Sequence, residues 1–387
     1  MKVLLVNKFY YPEIGGIETV TQILAEGLIE RECSVEVLAC ARRGPEQEEV
    51  IRGVPVHKAA SFGIVWSMPI SLDFLLKFRR MAALADVIFL QHPFPLADLA
   101  AYLFARKKPL VVFYHSDVQR QRIAALLFSV MLKRTLRRAS KIIVTSARIA
   151  QRSKHLQPVL DKVVVVPIGI VPRDPAPAPD VLRQAQQIRS EIVEPLVLAV
   201  GRLVRYKGFE YLIRAIRECK GHLLIIGSGG LERELKKIAE YENLGDRVHF
   251  KAVPRTETLA PYYHACDVFV LPSIATTETF GIVQVEAMAA GKPVVNTLLE
   301  TAVCDVSVDG ETGFSVPPRD SQAMGQAIGR LLADDHLRAQ MGEAARDRAV
   351  RLYSRERFCD EVHRELLRVV EDREVVAQPA SGRAPDE

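Results

Sequence analysis

The chain has 387 residues, 49% of them hydrophobic, 26% charged and 7% aromatic, with a formal net charge of +5. At about 150 residues per domain, that length predicts two domains, and the composition excludes a disordered, fibrous or collagen-like chain. The charge is uneven: residues 1–170 carry 24 Lys and Arg against 14 Asp and Glu, whereas the remaining 217 carry 28 against 33, so the first half suits an anionic partner such as nucleic acid, a membrane surface or a phosphorylated substrate.

The N-terminus, MetLysValLeuLeuValAsnLys, lacks the apolar length of a signal peptide and reads as a buried strand. No run of about 18 apolar residues exists, which excludes a spanning helix. Strands are expected at Val3–Val6, Ser34–Ala39, Val87–Leu90, Leu110–Tyr114, Ile142–Val144 and Val163–Val166. Their continuous apolar character is that of parallel strands buried on both faces. Helices are expected between them near 17–31, 71–83, 96–106, 119–138 and 147–156. This βαβ alternation predicts a doubly wound domain over 1–172.

Four prolines within 171–180 predict an extended linker, and the linker is assigned to 173–190. A second series follows over 191–354. Its strands are expected at Leu196–Val200, His222–Ile226, Arg247–Phe250, Val268–Leu271 and Pro293–Asn296, with helices near 208–219, 230–243, 256–264, 281–290, 321–334 and 336–352. A last helix is expected over 355–373, and residues 374–387 read as a disordered tail. The fold class is therefore α/β, with two tandem doubly wound Rossmann-like domains. Such domains bind ligands at the carboxyl ends of their strands, in an interdomain cleft if both ends face it. The six cysteines show no CxxC spacing and read as reduced core residues of a cytoplasmic protein.

Five segments carry candidate chemistry. In LeuProSerIleAlaThrThrGluThrPheGlyIleValGlnValGluAlaMet, residues 271–288, Gly281 opens a helix after a buried strand. The amides of Gly281, Ile282 and Val283 would form an anion site there. Glu278 on the loop and Glu286 on the helix fit either of two roles: carboxylates gripping sugar hydroxyls, one on a hexose and one on a ribose, or a charge favouring the helix dipole and a solvated glutamate. In GlyArgLeuValArgTyrLysGly, residues 201–208, Arg202 and Lys207 emerge at a strand end and fit either a diphosphate site or two solvated surface charges. Gly15 and Gly16 follow the first strand and allow close approach of a ligand. His115 and Asp117 end the strand 110–114. Gln119–Leu160 holds ten Lys and Arg and no acid around an apolar centre, which fits either a core helix with solvated ends or an anionic membrane surface.

Gly227–Ser228–Gly229–Gly230 lacks the last glycine of GxGxxG, since residue 232 is Glu, and reads as a phosphate-side turn. No DxD occurs, so no metal is required. Nucleic acid is disfavoured as a partner because the basic stretch lacks interleaved stacking aromatics.

Together these motifs resemble family 4 of the retaining glycosyltransferases, of GT-B fold, over roughly residues 1–370. The most specific part is the Glu-x7-Glu block followed by GluAlaMetAlaAlaGlyLysProValVal; the Gly15–Gly16 turn, HisSerAsp at 115–117 and ValProIleGly at 166–169 fall in their expected places. The resemblance implies a nucleotide-diphosphate sugar as substrate, with no cofactor. Arg202 and Lys207 would bind its diphosphate. Glu278, with the backbone of Phe280, Gly281 and Ile282, would hold the sugar, and Glu286 the ribose. Gly16 would approach the phosphates, His115 would contact the transferred sugar, Asp117 would support its loop, and the helix 355–373 would cross back to the first domain. After ProValValAsn the family often has a Gly-Gly turn followed by Glu, whereas this chain reads ThrLeuLeuGluThrAlaVal at 297–303. This resembles the branch of bacterial surface-polysaccharide mannosyltransferases. The expected protein is a cytoplasmic enzyme, peripheral at the inner membrane face, that moves a hexose to a lipid-linked saccharide. A soluble acceptor, or a non-catalytic binding role, are the alternatives.

Overall fold

The computed structural model describes residues 1–13, 15–65, 68–105, 108–117, 122–171, 176–192, 195–253 and 258–377, the side chains of 122–128 and 374–377 excepted. The chain divides into two compact units: residues 1–168 with 356–387, and residues 169–355.

Unit 1 contains β1 (Lys2–Val6), α1 (Gly16–Ile29), β2 (Ser34–Cys40), β3 (Gln47–Ile51), β4 (Val54–Ala59), β5 (Ile64–Val65), β6 (Met68–Pro69), α2 (Asp73–Leu84), β7 (Val87–His92), α3 (Pro95–Phe104), β8 (Leu110–Tyr114), α4 (Arg122–Arg138), β9 (Lys141–Val144), α5 (Ala147–Arg152) and β10 (Val163–Val165). Its main sheet runs β10-β9-β8-β7-β1-β2-β4-β3. Every pairing is parallel except β3 with β4. Every residue of β7 and β8 is buried, as the apolar runs Val87–Leu90 and Leu110–Tyr114 require, and the polar Gln91 and His92 end β7.

Two features of this unit depart from expectation. No strand is expected over 47–59, yet β3 and β4 form an edge hairpin there. Its outer strand, GlnGluGluValIle, is mostly exposed, and its charges hide the strand from a hydrophobicity reading while guarding the sheet edge. The short antiparallel pair β5–β6 was also not expected.

Unit 2 contains α6 (Pro179–Glu191), β11 (Leu196–Val200), α7 (Phe209–Ala215), β12 (His222–Ile226), α8 (Glu232–Tyr241), β13 (Val248–Lys251), α9 (Ala260–Ala265), β14 (Val268–Leu271), α10 (Ile282–Ala289), β15 (Val294–Thr297), α11 (Val303–Val306), β16 (Gly313–Val316), α12 (Ser321–Ala333) and α13 (Asp335–Leu352). Its six strands are all parallel, in the order β13-β12-β11-β14-β15-β16. Numbered within the unit, this is 3-2-1-4-5-6, the doubly wound arrangement whose topological switch lies between β11 and β14. Leu212, Ile213, Leu235, Met324 and Ile328 close one face of the sheet as a single buried cluster.

The linker expected over 173–190 is corrected: residues 172–175 lie outside the described ones, and Pro179–Glu191 is a helix packed on α9. Proline at its first turn starts this helix, and Ala185 and Ile188 bury its inner face. A last helix, α14 (Arg355–Ala377), runs past the expected end at 373 into the stretch read as disordered tail. Residues 378–387 lie outside the described ones. From Glu356 onward the chain groups with unit 1.

Candidate functional site

The switch point of unit 2 holds the loops 201–208 and 272–281, and the fold locks them together. Ile274 N donates to Tyr206 O at 2.8 Å. Gly208 has φ +67, and a Cβ there would lie 2.1 Å from Pro272 O, so only glycine lets the two backbones meet. Across this junction Lys207 Nζ lies 2.5 Å from Glu278 Oε2. Both residues are buried, and Ser273 Oγ donates to the same carboxylate oxygen at 2.9 Å. Thr297 Oγ1 in turn donates to Ser273 O. The sequence singled out Lys207 and Glu278 on separate motifs; the structure joins them in one charged pair. Arg202 sits on the same loop, exposed, with its Nη2 donating to the Tyr206 hydroxyl at 3.2 Å.

Gly281, at φ +72, caps α10, which begins at Ile282. A Cβ at Gly281 would press to 2.6 Å from Leu271 Cδ2. The amides of Ile282 and Val283 open the helix, where no intrahelical acceptor exists. Gln284 keeps the turn in place, since its Nε2 donates to Phe280 O at 2.7 Å and to Val303 O at 3.2 Å. Phe280 is buried, edge-on to Tyr353 at 5.7 Å.

Glu286 lies on the second turn of α10. Its Oε2 accepts a 2.5 Å bond from the Tyr263 hydroxyl, and burial pushes its carboxyl pKa up. Burial and this carboxylate together raise Tyr263 well above the ordinary tyrosine range. Glu286 and Tyr263 line a cavity of about 310 Å³ walled by Thr258, Leu259, Val181 and Ala290. Gly227 and Gly229 have a packing role: a Cβ on either would strike the backbone of Gly201 or Leu203 at 1.9 or 2.5 Å.

In unit 1, His115 follows β8 and is buried. Its Nε2 lies 2.6 Å from Gln91 Oε1, so the ring donates there and Nδ1 keeps a lone pair. Burial, reinforced by His92, pushes its pKa down to about 3. The ring is therefore neutral at physiological pH and packs 4.2 Å from Phe113. Asp117 is held by Tyr114 and Ser153: both hydroxyls engage its Oδ1, the second at 2.7 Å. Gly15 is the N-cap of α1, and Gly16 is its first residue. The Glu18 carboxylate closes over Gly15, 2.2 Å from where a Cβ would stand.

Gln91, Ser273, Tyr263 and Thr297 were missed by the sequence reading. Gln91 carried a usable signal, because it is a polar residue at the carboxyl end of a fully buried apolar strand.

The profile described as Glycosyltransferase Family 4 matches residues 14–174, and that described as Glycosyl transferases group 1 matches 182–348. A D-rhamnosyltransferase of Pseudomonas aeruginosa is 32% identical over 356 residues, 92% of each chain. This chain is a family 4 glycosyltransferase. The O-antigen chain mannosyltransferase C of Escherichia coli is 29% identical over 371 residues, 93% of this chain and 96% of that one. Among solved structures, a sucrose-phosphate synthase from Thermosynechococcus elongatus aligns with TM-score 0.79 at 23% identity, over 96% of this chain and 99% of that one. Anabaena HepE in complex with UDP-glucose aligns with TM-score 0.76 at 20% identity, over 95% and 100%. These structures share the fold, which is GT-B. Among the described residues, no helix of this glycosyltransferase is long and apolar enough to cross a membrane.

Proposed function

We propose that the protein transfers a hexose, with mannose favoured, from a nucleoside-diphosphate sugar to a lipid-linked saccharide in surface-polysaccharide assembly, with retention of configuration. The observation that carries this reading is the Lys207–Glu278 pair at the switch point of unit 2, beside the opening amides of α10. A cation and helix-terminal amides suit a diphosphate. A carboxylate a few ångströms away suits the hydroxyls of the sugar attached to it. Glu286 is the ribose ligand in this reading.

Lys207, Arg202 and the Ile282 and Val283 amides offset charge on the departing diphosphate as the bond from C1 to the β-phosphate oxygen breaks. The acceptor oxygen bonds C1 from the same face, and its proton passes to the leaving β-phosphate oxygen, so no side chain serves as general base. Neutral His115 contacts the transferred sugar as a hydrogen-bond partner, and Asp117 holds the loop that carries it. The relative named as an O-antigen mannosyltransferase supports mannose and a surface-glycan acceptor. The basic stretch 119–160 supports a peripheral place at the inner membrane face, with Lys133, Arg134 and Arg137 exposed; the side chains of its apolar start, 122–128, lie outside the described residues.

A thermal-shift panel of GDP-, UDP- and ADP-sugars tests the donor, since the true donor raises the melting temperature and the others do not. Transfer from that donor to a lipid-linked saccharide, with the anomeric configuration of the product read by NMR, tests acceptor and stereochemistry. Product formed only on a soluble glycoside would replace the acceptor assignment.

A further inference from the structure

Seven of the eighteen large hydrophobic side chains that are exposed among the described residues fall between residues 62 and 84 of unit 1. They occupy two joined elements. In the β5–β6 hairpin, tied by Phe62 N to Ile70 O at 3.0 Å, Phe62 is 78% exposed, Ile64 40% and Ile70 48%. The helix α2 that follows buries Phe74, Phe78, Met81 and Ala82 against the unit. Its opposite side carries Leu72, Leu76 and Leu84, exposed by 68%, 55% and 68%. These leucines are spaced by four and eight residues and so lie in one line along the helix. Exposed Arg79 and Arg80 stand between Leu76 and Leu84.

The charges within residues 61–84 are mostly basic, Lys77, Arg79 and Arg80 against one acid. The single acid between 61 and 84 is Asp73, whose carboxylate accepts from Ala60 N at 2.8 Å. Lys77 is engaged by Glu46 at 2.5 Å and Glu48 at 3.5 Å. The two arginines are the cations carried among the outward leucines. Contiguous apolar surface of this kind marks an interaction site. An aromatic and aliphatic stripe edged by arginines matches the boundary between acyl chains and anionic headgroups.

We propose that the face formed by residues 62–65 and 68–84 docks on an anionic lipid surface, with the exposed Phe62, Ile64 and Ile70 and the outer side of α2 entering the interface and Arg79 and Arg80 meeting the headgroups. The proposal rests on the lipid-linked acceptor reading above and moves the apolar contact to a surface the sequence analysis did not single out.

Flotation of the full-length protein with phosphatidylglycerol/phosphatidylethanolamine vesicles tests it. Wild type is expected to float, and Leu72→Ser/Leu76→Ser/Leu84→Ser to partition about tenfold less. Arg79→Glu/Arg80→Glu is expected to lose binding to the anionic vesicles with an unchanged melting temperature, which keeps the test decisive if the triple variant misfolds. Wild-type failure to float, or equal flotation of wild type and both variants, overturns the proposal. So does a wild-type dimer that the triple variant converts to monomer, which would make this face a contact between copies. Donor-induced thermal stabilisation is measured in parallel: its presence without flotation defeats the docking surface alone, and flotation without it defeats the donor reading alone.

Discussion

The two units solve the same problem at the carboxyl ends of parallel strands with opposite chemistry. In unit 2 the strand-end loops are bound to each other by an ion pair, a backbone hydrogen bond and a glycine contact, and the result is a preset arrangement of charge. In unit 1 the ends of β7 and β8 rest on a neutral pair with carboxylates at its margin: His115 is buried and neutral against Gln91, Asp98 lies 3.6 Å from His92, Asp117 is held by hydroxyls, and the Nε2 of Gln91 and both ring nitrogens of His92 are buried without a hydrogen-bond partner. A charged site must be fixed by strong pairing, because an unpaired buried charge is costly. A neutral one can hold donors and acceptors in reserve for hydroxyl groups.

The comparison is broken most severely at Lys207. Lys207→Ala leaves the Glu278 carboxylate buried beside Ser273 without its counterion. We expect a loss of about 3 kcal/mol in stability and a fall of about 100- to 1,000-fold in transfer rate, checked by denaturant unfolding and steady-state kinetics. Adding Glu278→Gln should return part of the stability and none of the activity. Recovery of turnover in the double variant would remove the charge-based account.

Glu286 sharpens the contrast within unit 2. Its carboxyl pKa is raised by burial, so the protonated form contributes stability that is present below the unfolded pKa and lost as pH rises through the folded one. Glu286→Gln is expected to raise the melting temperature at pH 7, to match wild type near pH 4, and to weaken donor binding about tenfold. Calorimetric titration with the donor and melting curves at the two pH values test this.

Gln91 probes the neutral site. Gln91→Leu removes the acceptor that fixes the His115 tautomer, and we expect kcat to fall about tenfold with little change in donor KM, whereas Gln91→Asn restores part of it. The smallest effect is on pH. The His115 pKa lies at about 3, below the unfolded value of 6.5, so its contribution to stability is present above 6.5 and lost as pH falls toward 3. His115→Gln should flatten the melting temperature over that window, and kcat should show no titration assignable to this ring between pH 6 and 8. An activity profile with a break near 6.5 that vanishes in His115→Gln would contradict the neutral assignment.

Much of this was legible in the chain, because buried parallel strands must be apolar on both faces. Val197, Leu198 and Ala199 leave no other reading, and the polar residues that follow such runs fall at strand ends by construction. What escaped has a common cause. β3 is charged and exposed, β16 is four residues opened by glycine, and α6 begins with proline in a proline-rich stretch, so each lacks the apolar run that identifies its neighbours. In the site, Lys207 and Glu278 were visible as motifs, but their pairing depends on the 3-2-1-4-5-6 strand order that brings residues 71 positions apart side by side. Ser273 and Thr297 act through bonds that no local pattern announces.

Unit 1 is discontinuous in the sequence, and this dictates an order of assembly. Phe358, packed 6.0 Å from Phe113, is fully buried, and Arg31 pairs with Asp360 at 2.7 Å. A ribosome must therefore translate all of unit 2 before the segment that completes unit 1 exists. Until then a nascent half-protein carries an open seam over α1 and β8, and a fragment ending at 168 would inherit that seam permanently.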